Sequence, residues 1–186
     1  MFINYKQGSV YSMYLISIYF DELCDKKIRH LMNLLAKNTG NSTLLDDNVP
    51  PHITISAFET QDEDAAILCL EKCSETLSAN ELQWVSVSTF FPYVMYLSPV
   101  LNEYLFHMSK SVYETFSSIE NISINKYYQP FHWQPHTTVG RKLSEGEMRI
   151  AFETLQKHFV PFKGSVTKIG LAKTNPHRDI AIFELN

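Results

Sequence analysis

The sequence lacks the long apolar runs and the strong positive charge of membrane proteins and of proteins that coat nucleic acids. The longest largely apolar run near the start, Met13 to Phe20, ends at Asp21 and is too short to span a bilayer. Neither a basic region nor a small-residue cleavage site marks it as a signal peptide. The net charge is −4, whereas proteins that bind nucleic acid along its length carry a basic excess. We therefore expect no membrane association and a cytoplasmic location.

Cysteine and glycine are also scarce. The three cysteines, Cys24, Cys69 and Cys73, cannot all pair, so we expect buried free thiols in a reducing compartment. The 6 glycines form no phosphate-binding loop, and the sequence has neither a nucleophile elbow nor a Cys-x-x-Cys element. His132 and His136 lack the glutamate of a zinc-protease pattern. We predict no metal and no cofactor.

One tetrapeptide, Pro-His-x-Thr, occurs twice, at residues 51–54 and 135–138. A shuffled chain of this composition would contain it about 0.02 times. Side chains alternate along a strand, so the His and Thr of each copy would share a face, about 7 Å apart. If the two strands face each other, two imidazoles and two hydroxyls surround one pocket.

The spacing of apolar residues predicts strands and helices whose order repeats after each motif: motif strand, helix, strand, strand. The repeat extends to Pro92 in the first half and Pro176 in the second. We predict an α+β fold in which two antiparallel or mixed sheets flank a central cleft, with helices on the outer faces. Residues 1–186 would form a single bilobal domain with an internal duplication, the first lobe over roughly 13–100 and the second over 101–186.

The predicted elements follow from this periodicity. The strands are Tyr11–Phe20, His52–Phe58, Leu82–Phe91, Val94–Leu97, Pro135–Gly140, Phe162–Lys173 and Ile180–Leu185. The helices are Asp21–Lys37, Asp62–Ala79, Leu101–Phe116 and Ser144–His158, and a polar loop covers Asn38–Asn48.

The paired motif supplies the groups that hydrolysis of a cyclic phosphodiester needs. One neutral imidazole, of His52 or His136, takes a proton from the attacking water, and the other gives a proton to the leaving oxygen. The hydroxyls of Thr54 and Thr138 can donate hydrogen bonds to phosphate oxygens. The alternative is that each motif only marks the start of a strand, where proline is tolerated.

Three further features could belong to the same site. Arg141 follows the second motif and could bind phosphate, or serve the surface. The aromatic connector Tyr127–Trp133 could stack a base, or pack as a hydrophobic loop. Ser56 is in register with His52 and Thr54 and could line the same cleft.

The segments Pro50–Phe58 and Pro135–Arg141 resemble the two signatures of the 2H phosphoesterase superfamily, and specifically of the 2′-5′ RNA ligase-like proteins. In that family, two His-x-Thr elements lie on strands about half a chain apart in a duplicated domain near this length. The opening strand that runs into an acidic helix start, Tyr14 to Asp21, is similar too. Gly140 departs from the pattern, because a bulky apolar residue often stands there, and this affects the expected shape of the cleft floor.

The resemblance implies a metal-independent phosphodiesterase that acts on 2′,3′-cyclic phosphates of RNA ends or nucleotides, on ADP-ribose cyclic phosphates, or on 2′-5′ linkages. On the family pattern, His52 and His136 are the acid/base pair and Thr54 and Thr138 bind phosphate. Arg141 falls where some members carry a basic residue. The expected partners are RNA 3′ ends or small cyclic nucleotides, bound by a monomer. Two alternatives stay open: a module that binds such ends without turnover, and a 2′-5′ RNA ligase.

Overall fold

The structure is a computed structural model that describes residues 12–174 and 178–186. Tyr11 and Pro176, which the sequence-based predictions used, lie outside these residues. The helices are α1 (Glu22–Thr39), α2 (Thr43–Asp46), α3 (Glu63–Thr76), α4 (Glu103–Phe116) and α5 (Glu145–His158). The strands are β1 (Ser12–Phe20), β2 (Ile53–Thr60), β3 (Asn80–Phe90), β4 (Val94–Pro99), β5 (Ser123–Ile124), β6 (Thr137–Gly140), β7 (Phe162–Lys173) and β8 (Arg178–Glu184).

The strands form one connected antiparallel network, and the predicted α+β class is confirmed. Their order is β5-β2-β1-β7-β3-β4-β6, with β8 also paired to β7. The long strand β7 makes this possible: residues 162–166 pair with β3, while residues 168–173 pair with β8. Its other edge pairs with β1. The two predicted sheets are therefore two branches that meet at β7.

Each branch combines strands from both halves of the sequence. The branch that holds the first motif joins β1 and β2 to β7, and the branch that holds the second motif joins β4 and β6 to β3. The predicted lobe boundary between residues 100 and 101 divides the chain by sequence order, whereas β4, which precedes it, pairs with β6, which follows it. The second motif strand is thus held by a strand of the preceding half.

The helix starts differ from the predicted ones because the polar residue at each start is a cap. The side chains of Asp21, Asp62, Asn102 and Ser144 accept hydrogen bonds from backbone N–H groups of the first turn, and each helix begins directly after its cap. Three helices therefore begin one residue later than predicted, and α4 begins two residues later than the predicted Leu101. At Ser144 the predicted capping box is present. The predicted loop 38–48 contains the end of α1 and the short helix α2.

Trp84 lies at the junction of the two branches and is fully buried. Its ring stacks on Phe162 at a centroid distance of 5.1 Å and meets the edge of Phe20 at 4.9 Å. The indole N–H donates to Oγ1 of Thr137, at 3.1 Å, inside the second motif. The core therefore holds the second motif through a buried hydrogen bond as well as through strand pairing.

The cysteines are buried free thiols, as predicted. Burial raises the pKa of Cys24 to about 12 and that of Cys73 to about 11, so both are protonated and unreactive at neutral pH. Within the described part of the chain, no helix combines the length and the apolar character that crossing a bilayer requires.

Gly164 marks a close approach of β7 to the start of α1. A Cβ at this position would lie 2.5 Å from Sγ of Cys24 and even closer to its Cβ. We expect Gly164→Ala to lower the free energy of unfolding by about 1–3 kcal/mol, because the packed core must move to admit the methyl group. Urea denaturation measures the change.

The matched control is Gly146→Ala in α5, where a Cβ would meet nothing within 4 Å. Alanine there should stabilise the protein by about 0.5–1 kcal/mol, because it favours helix more than glycine does. Equal effects of the two substitutions would contradict this packing of β7 on α1.

Candidate functional site

The first motif strand contains a one-residue bulge directly after Thr54. Thr54 pairs with Ser17 and Ser56 pairs with Ile16, so Ile55 stands between them without a partner. The bulge reverses the alternation of side chains, because cross-strand partners share a face. Ser56 therefore lies on the face of Ile16, which belongs to the core, and the expectation that it shares the face of Thr54 is wrong.

The second motif strand contains the same bulge at the equivalent place. Thr138 pairs with Tyr96 and Gly140 pairs with Met95, so Val139 has no partner. Bulges of this kind occur next to functional sites, where they redirect a side chain. Both motifs thus present their threonine from the last regular position before a bulge.

The two motif histidines also make the same hydrogen bond. Nδ1 of His52 lies 2.7 Å from the carbonyl oxygen of Pro50, and Nδ1 of His136 lies 2.8 Å from that of Gln134. A carbonyl oxygen can only accept, so Nδ1 carries the proton in both rings. In the neutral form this makes Nε2 the basic nitrogen of each imidazole, and the backbone orients both rings.

The surroundings of the two rings differ. His136 is half-buried between two aromatic edges, with ring centroids 4.8 Å from Phe90 and 5.4 Å from Tyr96. Burial lowers the pKa of His136 below its ordinary value, although the bond to the Gln134 carbonyl opposes the shift. The environment of His136 therefore favours the neutral imidazole.

The ring of His52 lies near Tyr19, at a centroid distance of 6.4 Å. The Tyr19 hydroxyl donates to Oδ1 of Asp179, at 3.4 Å. Burial raises the pKa of Tyr19, so the phenol stays protonated. His52 thus has a hydrogen-bonded Tyr–Asp pair beside it where His136 has two aromatic rings.

A cavity of about 380 Å³ opens beside the second motif. His136, Thr138 and Arg141 line it together with an aromatic wall. That wall consists of Phe90, Tyr127, Tyr128 and Trp133. The structure therefore brings three of the predicted site residues, and most of the aromatic connector, to one cavity.

His52 and Thr54 are not among the residues that line this cavity. Trp133 connects them to it, since its indole N–H donates to the backbone oxygen of Thr54 at 2.9 Å. The strands β2 and β6 are also in contact. The first motif is therefore packed against the aromatic wall, and the Thr54 hydroxyl lies 3.5 Å from that of Ser17.

Phe131 departs from the rest of the connector. Its side chain is 85% exposed and packs on Phe106 at a centroid distance of 4.7 Å, outside the cavity lining. The aromatic residues of the connector thus lie on two different surfaces, and the sequence alone does not show which residue lies on which surface.

Arg141 forms an ion pair with Asp47, which follows α2. Asp47 was not predicted from the sequence, because a carboxylate in a polar loop gives no signal of its own. The sequence shows only that Asp47 lies five residues before His52 and that Arg141 lies five residues after His136. Burial lowers the pKa of Arg141, which stays charged at neutral pH.

Among residues 12–174 and 178–186, no three His, Cys, Asp or Glu side chains lie close enough together to hold a metal ion. Besides the carboxylates of Asp47 and Asp179, the polar groups described above are hydroxyls, imidazoles and one guanidinium. Together they can donate to an anionic ligand and exchange protons with it.

The pKa of His136 is open to direct measurement. By ¹H–¹⁵N NMR titration we expect its imidazole to titrate below pH 6.5, the ordinary value for histidine. Phe90→Ala should raise this pKa, because more of the imidazole is then exposed to water. The unfolded chain binds a proton at higher pH than the folded one, so the contribution of His136 to stability falls as pH drops below 6.5. A pKa above 6.5 in the wild type would contradict the conclusion that burial favours the neutral imidazole of His136.

Comparison with known proteins supports the fold. None of the curated proteins matches the sequence significantly. Among solved structures, E. coli LigT bound to 3′-AMP is similar with a TM-score of 0.59 and 12% identity, over 96% of this chain and 99% of that one. A phosphoesterase crystal structure has a TM-score of 0.61 and 12% identity, over 94% and 99%. The Thermus thermophilus protein TT0787 has a TM-score of 0.61 and 9% identity, over 93% and 97%.

At these identities, the similar structures establish the fold and not the activity. The sequence itself provides the closer link. The profile of the 2′-5′ RNA ligase superfamily matches residues 21–178 and so includes both His-x-Thr motifs. The chain belongs to the 2′-5′ RNA ligase superfamily, the phosphoesterase and ligase-like proteins also called 2H phosphoesterases.

Proposed function

We propose that the protein is a metal-independent phosphodiesterase that hydrolyses 2′,3′-cyclic phosphates of RNA ends or nucleotides. The observation that carries this proposal is the matched geometry of the two motif histidines. Each ring donates from Nδ1 to the carbonyl two residues before it, and each lies next to a bulged strand that presents a threonine. Two imidazoles oriented alike by the backbone suit a reaction that needs one base and one acid.

The different surroundings of the rings support an assignment of roles. The half-buried His136 favours the neutral form, so Nε2 of His136 is the base that accepts a proton from the attacking water. His52 is then the acid, and it enters the reaction as an imidazolium.

The reaction balances without a further reagent. The water oxygen forms a bond to phosphorus while its proton passes to Nε2 of His136, and the bond from phosphorus to a ribose oxygen breaks. That oxygen takes the proton of the His52 imidazolium. The product is a phosphomonoester, and exchange with solvent then returns one proton to His52 and removes one from His136.

The hydroxyls of Thr54 and Thr138 and the guanidinium of Arg141 act on the charge that develops on phosphorus. As water adds, negative charge grows on the non-bridging oxygens, and donors fixed in place stabilise it without reorganisation. A β-branched threonine on a strand has a restricted χ1, so its hydroxyl is oriented in advance.

The cavity suits the nucleoside part of such a substrate. Its volume of about 380 Å³ and its aromatic wall fit a single base, which can stack on Tyr127, Tyr128 or Trp133. The similar E. coli LigT structure contains 3′-AMP, a nucleotide with a phosphate on the ribose. We infer that the base occupies the aromatic wall and that the phosphate lies between His136 and the first motif.

Removal of either imidazole should abolish most turnover. We expect His52→Ala and His136→Ala each to lower kcat on a 2′,3′-cyclic mononucleotide by about 10²–10⁴-fold, because each removes one proton-transfer step. Chromatography that separates 2′- from 3′-phosphates measures the rate and the product. EDTA should leave the wild-type rate unchanged.

The control is His107→Ala, which removes an exposed histidine of α4. It should keep the wild-type rate. Near-wild-type turnover in both motif variants would contradict the assignment, whereas binding of the cyclic nucleotide without ring opening in the wild type would favour the binding module.

The pH dependence of kcat/KM should be bell-shaped, because one histidine must be neutral and the other protonated. With His136 as the base, the acidic limb lies below pH 6.5, and Phe90→Ala moves it to higher pH. Steady-state rates between pH 4.5 and 9 test this expectation. If Phe90→Ala moves only the basic limb, His136 is the acid and the assigned roles are reversed.

A further inference from the structure

Arg141 has a distinctive arrangement in the cavity wall. Its side chain lines the cavity beside His136 and Thr138, and Nη2 donates to Oδ2 of Asp47. Its Nε atom is buried and has no hydrogen-bond partner within the described ranges. One end of the guanidinium is thus held by a carboxylate, while a buried donor beside it is unsatisfied.

Asp47 belongs to a segment, residues 41–47, that is hydrogen-bonded to the chain just after the second motif. Asn41 donates from Nδ2 to the backbone oxygen of Lys142 at 3.2 Å, next to Arg141. Leu44 and Leu45 of α2 pack against the core. The segment that precedes Asp47 is therefore anchored, and the chain continues from Asp47 into the strand of the first motif.

The ion pair with Asp47 limits how the Arg141 guanidinium can be oriented. The group is planar and rigid, so an acceptor on Nη2 fixes the plane and hence the direction of Nε–H. The ion pair with Asp47 therefore fixes the orientation of a guanidinium that lines the cavity beside His136 and Thr138.

We propose that Asp47 is a positioning residue that orients Arg141 so that its guanidinium donates to a non-bridging oxygen of the substrate phosphate. This inference rests on the proposed function, because it assigns the phosphate to the cavity beside His136. Asp47 touches no substrate and acts only through Arg141. Because the loop of Asp47 leads into the first motif and Arg141 follows the second, the ion pair also links the two halves of the site.

The ion pair is partly exposed, with side chains 34% and 45% accessible, so it contributes little to stability. Loss of the Asp47 charge should therefore change the melting temperature by less than about 2 °C. A functional effect of such a variant then reports on the site and not on unfolding.

A double-mutant cycle tests the inference on a 2′,3′-cyclic mononucleotide. We expect Arg141→Met to lower kcat/KM by about 100-fold and Asp47→Asn by about 10-fold, with most of each loss in kcat, because the bond strengthens as charge develops. The double variant should be no slower than Arg141→Met alone, since Asp47 then has nothing to orient. Asp46→Asn, the same charge change one residue earlier in α2, should keep the wild-type rate.

Two outcomes of the cycle would overturn the inference. One is a wild-type rate in Asp47→Asn. The other is a loss of about 10-fold from Asp47→Asn in the Arg141→Met background, since Asp47 would then act independently of Arg141.

Binding of inorganic phosphate separates this inference from the proposed function. If the wild type turns over no cyclic nucleotide, the proposed function fails, and calorimetric titration with phosphate decides about Asp47. Weaker phosphate binding in both Asp47→Asn and Arg141→Met supports the orienting role. Equal affinity in wild type and Asp47→Asn, or no phosphate binding in the wild type, overturns it.

Discussion

The antiparallel pairing of β7 with strands of both branches is the constraint on which the site depends. β7 holds β1, and through it the first motif, on one edge, and β3, which leads to β4 and the second motif, on the other. If β7 paired only with β8, its neighbour in sequence, β1 and β3 would not be joined and the two motifs would lie in separate sheets. Trp84 reinforces the junction, because it is buried there and donates to Thr137.

The two motifs are alike in backbone geometry and differ in their surroundings. The bulge after each threonine and the Nδ1 bond of each histidine are the same. Burial between aromatic rings lowers the pKa of His136, while His52 lies near the Tyr19–Asp179 pair. Equivalent positions can thus take unequal roles, since the pKa of a histidine depends on the groups that surround it.

Much of the fold followed from periodicity and from residues with strong local preferences. The order of the longer strands and helices, the capping box at Ser144 and the buried thiols were predicted from the sequence and are present, whereas the short elements α2 and β5 were not predicted. Ser56 was placed on the wrong face, because a bulge depends on pairing with Ile16 and Ser17 and leaves no mark in the sequence of its own strand.

In the candidate site, too, some residues could be predicted from the sequence and others could not. Recurrence of the motif identified candidate residues on both strands, and His136, Thr138 and Arg141 do line one cavity. The sequence could not reveal Asp47, because its meaning arises only from contact with Arg141 across the fold. Nor could it separate the connector residues that face the cavity from Phe131, which is exposed. These are tertiary contacts, which depend on packing and not on local preference.

Turnover of a 2′,3′-cyclic mononucleotide in ¹⁸O-labelled water tests the central claim most directly. If the two motifs form one site that adds water to phosphorus, the wild-type product is a phosphomonoester with one ¹⁸O on its phosphate by mass spectrometry. The variant that lacks both His52 and His136 should then give no labelled product. A wild-type protein that leaves the cyclic phosphate unlabelled and intact, or a double variant that labels it at the wild-type rate, would contradict the account.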